Sequence, residues 1–343
     1  SLEHDNQVTV AGKHVDKKYN NGKKDSVTAS YEVEIILNTD RVRDDRSWYE
    51  NVITRIGNHA FTSKVNKETY VSEQDAHQKM AEKASGDYIM IIHAGDDISS
   101  NLAEVFVKGN VQCYDMDTYM ITKAFHDETF GAFRNYKKVT DGEDIKSFYI
   151  IDLKSKYDCF PFGFGGVIIR AEAFKKQSVD PALGLEAERD FMLRLMAKAM
   201  KTCFLPYATL TAYEYEEHDN TFYRGLYMRE WYFESITDFW MPFLQEMKVT
   251  YGSIPVFIQY NFMYSVMARF NGNMDNKNKH VIEEGHGEEY LELIGQALRL
   301  IEENIMLNRN KVVDCITGDT MKWVYGILRN GKAYKFERFF LAG

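Results

Sequence analysis

The sequence is short of proline, with five in 343 residues, and it holds only four cysteines. Cys113, Cys159, Cys203 and Cys315 stand far apart, with no Cys-x-x-Cys pair. That spacing argues against a zinc site and against a disulfide framework, and it fits reduced thiols in a cytosolic protein. No Pro-rich linker, internal repeat or low-complexity tract interrupts the chain. No apolar run approaches the ~20 residues that a membrane-spanning helix needs, and no signal peptide opens the sequence. The opening SLEHDNQ reads as an expression remnant or a cut from a longer chain, so the missing leader carries no weight. Positive charge is in deficit too: the formal net charge is -9. Such a chain lacks the basic footprint of a nucleic-acid binder, and its surface is repelled by anionic lipid.

What the sequence does have is material for a core. Hydrophobic residues make up 45% and charged residues 27%, with 22 Phe and 22 Tyr among them. This is the balance of a soluble globular protein, and the length fits one large domain or two modest ones. The first half alternates β-rich runs with helical stretches. YEVEIIL (31–37), DYIMII (87–92), DTYMITKAF (117–125) and GGVIIR (165–170) predict strands. SEQDAHQKMAEKAS (72–85), stopped by Gly86, and EAERDFMLRLMAKAM (186–200) predict helices, the second leading into a late strand, KTCFLPYATLTAYEY. Strand–helix–strand order with polar residues just past the strand ends predicts an open α/β sheet whose site lies at the carboxyl edge.

After about residue 222 the texture becomes helical and aromatic. REWYFESITDFWMPF carries aromatics that are either core or a surface for sugar rings or a membrane interface. Leu291, Ile294, Leu298, Ile301 and Ile305 fall at spacings of three and four, a single apolar helix face. The expected division is therefore 1–222 for the sheet domain and 223–343 for a helical extension, packed on that domain or on a partner.

GDYIMIIHAGDDIS (86–99) concentrates the chemistry. A nearly continuous apolar strand ends abruptly on His93, Ala94, Gly95, Asp96 and Asp97. A carboxylate at the end of a buried strand is costly unless it is solvated, paired or bound to a cation. Hard divalent ions take oxygen ligands, commonly one or two carboxylates plus phosphates of a bound nucleotide. Asp96 suits that task, with Asp97 as a second ligand or an N-cap; an ordinary Asp/Gly turn is the alternative.

AEKASGDYIMIIHAGDDIS resembles the central signature of family-2 glycosyltransferases of the GT-A fold. That family has a helix ending in Ala-x-Gly-Asp-Tyr-Ile, a strand, and then Asp-x-Asp-Asp or Asn-x-Gly-Asp. His93, Ala94, Gly95 and Asp96 follow the second variant, with His93 where Asn or Asp is usual. Ala76, His77 and Gln78 stand where the family has Ala-Arg-Asn. EVEIILNTD, with Asn38 and the surviving acid Asp40, is similar to its nucleotide-binding turn, and QVTVAGKHVD would be its first strand. FGFGGVIIRAEAF, GLEAERDFMLRL and YEYEEHDNTFYR follow in the family's order, so the resemblance covers about residues 7 to 222.

The resemblance implies a GT-A-type, Rossmann-like α/β fold: a mixed, mostly parallel sheet flanked by helices, with a mainly helical C-terminal extension. It implies a metal-dependent, inverting transfer of sugar from a nucleotide-sugar donor, a UDP-sugar by expectation, to a glycan or lipid-linked acceptor in bacterial surface polysaccharide synthesis. Asp96 would hold Mn²⁺ or Mg²⁺, with His93 and His218 as further ligands. Asn38, Asp40, Gln78 and Asp96 would contact the nucleotide. Inverting transfer needs a carboxylate within hydrogen-bond reach of the acceptor hydroxyl. Asp190 is the first choice for that base, then Glu188, then Glu186. Gly165 and Gly166 would either leave room for a donor sugar or acceptor to approach backbone or simply relieve crowding in a strand. The implied location is the cytoplasm or the inner face of the membrane, with membrane or homo-oligomer contact through the extension. Two alternatives stay open. One is a catalytically degenerate scaffold partnering an active enzyme, to which the departures at Gln78, His93 and EAERD point. The other is a nucleotidyltransferase with VTVAGKHVDKKYNNGKK as its phosphate loop.

Overall fold

The structure, a computed structural model, describes residues 9–11, 33–38, 62–64, 86–93, 96–113, 116–125, 148–155, 160–212, 225–274, 281–282, 285–307 and 319–331. The chain divides into two compact units, Ser1–Asp152 with Pro161–Glu214 and Leu153–Phe160 with Tyr215–Gly343.

The described strands are β1 (Thr9–Ala11), β2 (Val33–Asn38), β3 (Thr62–Lys64), β4 (Tyr88–His93), β5 (Asp97–Ile98), β6 (Thr118–Phe125), β7 (Tyr149–Asp152), β8 (Val167–Arg170) and β9 (Lys201–Ala212). The main sheet has the order β2-β4-β8-β6-β9-β5, with β7 also on β9. Its parallel pairs are β2–β4 and β6–β9. The pairs β4–β8, β6–β8, β5–β9 and β7–β9 are antiparallel. The sheet is thus mixed, not mostly parallel, because β8 runs backwards between two forward strands. An apolar run buried on both faces carries no mark of its direction, which is why the pattern alone misled. Nor does β1 enter this sheet: it pairs antiparallel with β3 in a separate two-stranded ribbon.

Strand β4 is buried on both faces. Tyr88, Met90 and Ile92 join the main core cluster, and Ile89 and Ile91, on the opposite face by the strand's period of two, are buried as well. Helix α1 (Leu102–Gln112) covers the first face. Tyr88, Phe106 and Tyr119 meet edge to face with centroids 5.0, 5.8 and 5.1 Å apart. A Cβ at Gly109 would lie 2.4 Å from Leu205 Cδ2, so the glycine is what lets α1 approach β9 closely.

Between β6 and β9 the register jumps: Ile121 pairs with Leu205 but Thr122 pairs with Thr209. The extra residues form a bulge whose carbonyls are taken up by side chains. Thr122 Oγ1 donates to Pro206 O at 3.1 Å, and Asn101 Nδ2 donates to Tyr207 O at 2.9 Å. The core-facing set of β9 changes phase across it, from Cys203 and Leu205 to Ala208 and Leu210. The chain also reaches from His93 to β5 in four residue steps, at most ~14 Å. Four flat strand spacings from β4 to β5 would span ~19 Å. The sheet is accordingly curled.

Helices α2 (Ala171–Lys175) and α3 (Ala187–Ala199), with a 3-10 turn over Pro181–Glu186 between them, complete the described helices of the first unit, and α3 matches the stretch expected at 186–200. The helix expected at 72–85 lies outside the described residues.

Every regular element described in the second unit is helical: α4 (Arg229–Tyr232), a π turn (Ser235–Trp240), α5 (Met241–Tyr251), α6 (Val256–Met274), α7 (Gly287–Leu298), α8 (Glu303–Leu307) and α9 (Asp319–Asn330). Residues 257–269 of α6 are all buried. Arg269 is among them. Its guanidinium donates to Trp231 O at 2.8 Å, Ser265 O at 3.0 Å and Ser235 Oγ at 2.6 Å, and lies over the Trp231 ring. Of the stretch 229–243, Trp231, Tyr232, Phe233, Phe239, Trp240 and Phe243 are all buried. These aromatics are core, not a sugar or membrane surface.

The apolar face expected along Leu291 to Ile305 does not run on one helix. Leu291 is 39% exposed, and α7 stops at Leu298. Groups from elsewhere satisfy the break. Arg329 Nη1 donates to Leu298 O at 2.7 Å and to Ile301 O, while Gln259 Oε1 accepts from Glu302 N at 2.7 Å.

Gly295 on α7 meets α9 backbone: a Cβ there would lie 2.5 Å from Leu328 O. Gly295→Ala gains about 1 kcal/mol of helix propensity. It overpacks a contact with no flexible partner, which costs about 1–3 kcal/mol. The expected net result is destabilisation, read as a lower denaturant midpoint; an unchanged or higher midpoint contradicts the contact.

Burial pushes the Tyr232 phenol up to about 12, against an opposing pull from Arg269. Burial raises Tyr290 and Tyr325 as well. Below pH ~10 these phenols are protonated in both folded and unfolded chains, so their contribution is intact. Stability is then expected to fall as pH rises from ~10 through about 12, measured as a declining denaturation midpoint.

Candidate active site

The main sheet gathers its forward strand ends on one edge. Strands β2 and β4 finish side by side at Asn38 and His93, and β6 and β9 finish at Phe125 and Ala212. Because β8 is reversed, its beginning lies on that same edge: Val167 pairs with Met120, and Ile121 N donates to Gly166 O at 2.9 Å. The segment PFGFGG, residues 161–166, is thereby laid along the last residues of β6.

Aromatic side chains hold this loop from below. Phe164 packs on Phe174 of α2 and Phe191 of α3, at 5.6 and 5.3 Å between centroids, and those two rings meet at 4.5 Å. Arg189 lies over the Phe162 ring at 5.8 Å. Between these anchors, Glu188 Oε2 accepts from the Phe164 backbone N–H at 3.0 Å. A Cβ at Gly163 would fall 2.5 Å from that same oxygen, so a glycine there makes room for the carboxylate. At Gly165 the neighbour is Lys123 Nζ, 2.8 Å from the position of a Cβ. Gly166 turns the chain at φ 78°, a left-handed backbone that suits glycine. The loop therefore has a carboxylate on one side and a lysine side chain on the other.

The three acids at the start of α3 face different ways. Glu186 is buried and pairs with Arg189 at 3.0 Å. Asp190 is 4% exposed and accepts from Arg194 Nε at 2.8 Å, one turn along its own helix. Glu188 is partly exposed and is the acid of the three that reaches the glycine loop.

Asp96 is 6% exposed and stands between the end of β4 and β5. Asp97, beside it, is partly buried, and its Oδ1 accepts from Ile98 N at 3.0 Å. Among the described residues no group of three or more His, Cys, Asp or Glu is placed to hold a metal ion. Asn38 and His93 occupy facing strand ends. Asp40, Gln78 and His218 lie outside the described residues.

Lys123 and Gly163 belong to this edge and were absent from the sequence expectations. Their signals were faint: a lysine late in an otherwise apolar strand, and glycines interleaved with phenylalanines ahead of β8.

No family model matches the chain, and no curated protein matches it in sequence. Solved structures resemble it faintly. TarS 1–349 of S. aureus in complex with UDP-GlcNAc is 10% identical, with 78% of this chain and 74% of that chain covered and a TM-score of 0.43. The same protein in complex with UDP is 10% identical, over 76% and 72%, with a TM-score of 0.39. At such scores the likeness carries no argument for this chain.

The contact of Gly163 with Glu188 predicts energetic coupling. In a double-mutant cycle, Gly163→Ala and Glu188→Ala are expected to be non-additive by about 1 kcal/mol in unfolding free energy. Additive effects would show that the carboxylate does not rest on the loop.

Proposed function

We propose that the chain is a GT-A-type glycosyltransferase that moves a sugar, with inversion, from a nucleotide-sugar donor to a hydroxyl of a glycan or lipid-linked acceptor. One observation supports this reading above the others: a carboxylate, Glu188, seated on a glycine loop at the carboxyl edge of an α/β sheet. This is where ligands of open α/β sheets bind. The resemblance of residues 7–222 to family-2 glycosyltransferases supplies the reaction type, with UDP-sugar as donor and bacterial surface polysaccharide as the setting.

Glu188 is the proposed base. It takes the acceptor's proton as that oxygen attacks the anomeric carbon, and its partial exposure leaves it reachable. Asp190, preferred on sequence grounds, has its carboxylate engaged by Arg194, which disfavours proton uptake. The Asp190–Arg194 pair is better suited to fixing the first turns of α3. Lys123 places a positive charge beside the loop, where a diphosphate would benefit from it.

Asp96 fits a divalent cation of the kind that arrives with a nucleotide. A single buried carboxylate is a poor cage, but Mn²⁺ and Mg²⁺ accept one carboxylate when phosphate oxygens and water complete the shell. Such an ion, with His93 and His218 as further candidates, would neutralise the departing diphosphate. The proposed setting is the cytoplasm or the inner membrane face; among the described residues no helix is long and apolar enough to cross a membrane. A degenerate scaffold is the second reading, favoured by His93 standing where the family has Asn or Asp.

Calorimetric titration of UDP, with and without Mn²⁺, tests the donor site. Metal-enhanced binding in the wild type and its loss in Asp96→Ala are expected; no binding under any metal condition favours the scaffold. Glu188→Gln is expected to lower transfer at least ~100-fold while leaving UDP affinity unchanged. Transfer unaffected by both Glu188→Gln and Asp190→Asn would remove the base from α3.

A further inference from the structure

The cysteines are far apart in sequence, but two of them meet. Cys113 closes the C-terminus of α1, where its N–H donates to Gly109 O at 2.8 Å. Cys203 lies in the β9 ladder, paired with Tyr119 on one side and Ile150 on the other. Both are buried in the main core cluster, and their sulfurs are 3.1 Å apart across 90 residues of chain. That gap is about 1 Å more than the ~2.05 Å of a disulfide bond. Neither thiol has a part in the proposed sugar transfer, and the elements that hold them are a helix end and a sheet strand.

We propose that Cys113 and Cys203 are a disulfide-forming site, closed by two-electron oxidation with hydrogen peroxide. The close contact of the two sulfurs holds the Cys113 thiol below its usual range, while the same contact and burial raise Cys203. Cys113, at a helix end and 3% exposed against 0% for Cys203, is the sulfur nearer solvent and reacts first. Its thiolate attacks one peroxide oxygen; the O–O bond breaks, hydroxide leaves and takes up a proton as water, and a sulfenic acid remains. Cys203 sulfur then attacks Cys113 sulfur. The S–S bond forms, the S–O bond breaks, and the departing hydroxide takes the Cys203 proton as a second water. Two thiols become one disulfide, and one peroxide becomes two waters. The cystine ties α1 to β9, the helix and strand whose contact at Gly109 and Leu205 is among the tightest in the sheet domain.

The test uses the native full chain and hydrogen peroxide. Each of the four cysteines falls in a different tryptic peptide, so peptide mapping without reductant identifies every pairing. The expected product links the Cys113 peptide to the Cys203 peptide and has lost two hydrogens. The oxidised protein should melt higher, by up to about 10 °C, and return to its starting midpoint with dithiothreitol. In Cys203→Ser, the Cys113 sulfenic acid should persist and be trapped by dimedone. Thiols that both remain alkylatable after peroxide, or a link that instead uses Cys159 or Cys315, would overturn the proposal.

Discussion

Burial of β4 on both faces is the constraint from which the first unit's geometry follows. An apolar strand with core on each side has to lie inside the sheet, and its polar continuation then has to surface at a strand end. Asp96 is carried to that edge by hydrophobic burial rather than by any affinity of its own for the position. The reversed β8 completes the arrangement. Its insertion between β4 and β6 brings the glycine loop to the edge where β4 stops, so that Glu188 and Lys123 share one short segment of backbone. Strand pairing brings Lys123 to this segment, and the packing of Phe191 on Phe164 and Phe174 brings Glu188 on α3 to it.

How much of this the sequence discloses depends on how local each feature is. The β4 run, the α3 helix and the β8 apolar segment announce themselves within a few residues, and the structure has strands and a helix there. The direction of β8 does not, because direction is decided by pairing across the sheet. The same limit hid Lys123, whose place beside Gly165 depends on the β6–β8 register, and Cys203, whose neighbour is 90 residues away. In the candidate site the acids of α3 were legible as a group but not in their roles. Only the partners separate them: Arg189 for Glu186, the Phe164 amide for Glu188, Arg194 for Asp190.

The second unit shows the converse. Its apolar spacings from Leu291 to Ile305 satisfy a single helix, and yet the helix ends. Gln259 and Arg329 supply the backbone bonds that a continuous helix would have made for itself, so the break incurs little loss. Periodicity measures which side chains seek the core; it does not measure whether an outside donor is waiting at a particular carbonyl.

The bulge in β9 has an effect beyond its own three residues. Upstream of it odd-numbered positions face the main core, downstream even-numbered ones do, and Pro206 and Tyr207 absorb the change. Four residues separate Leu205 from Leu210, whereas an unbroken strand places an odd number between two positions on one face. Loss of one would leave Leu210 on the core face of a regularly alternating strand. What it would remove is the bulge itself, and with it the carbonyls of Pro206 and Tyr207 that Thr122 and Asn101 engage along the half of the strand that supports β5.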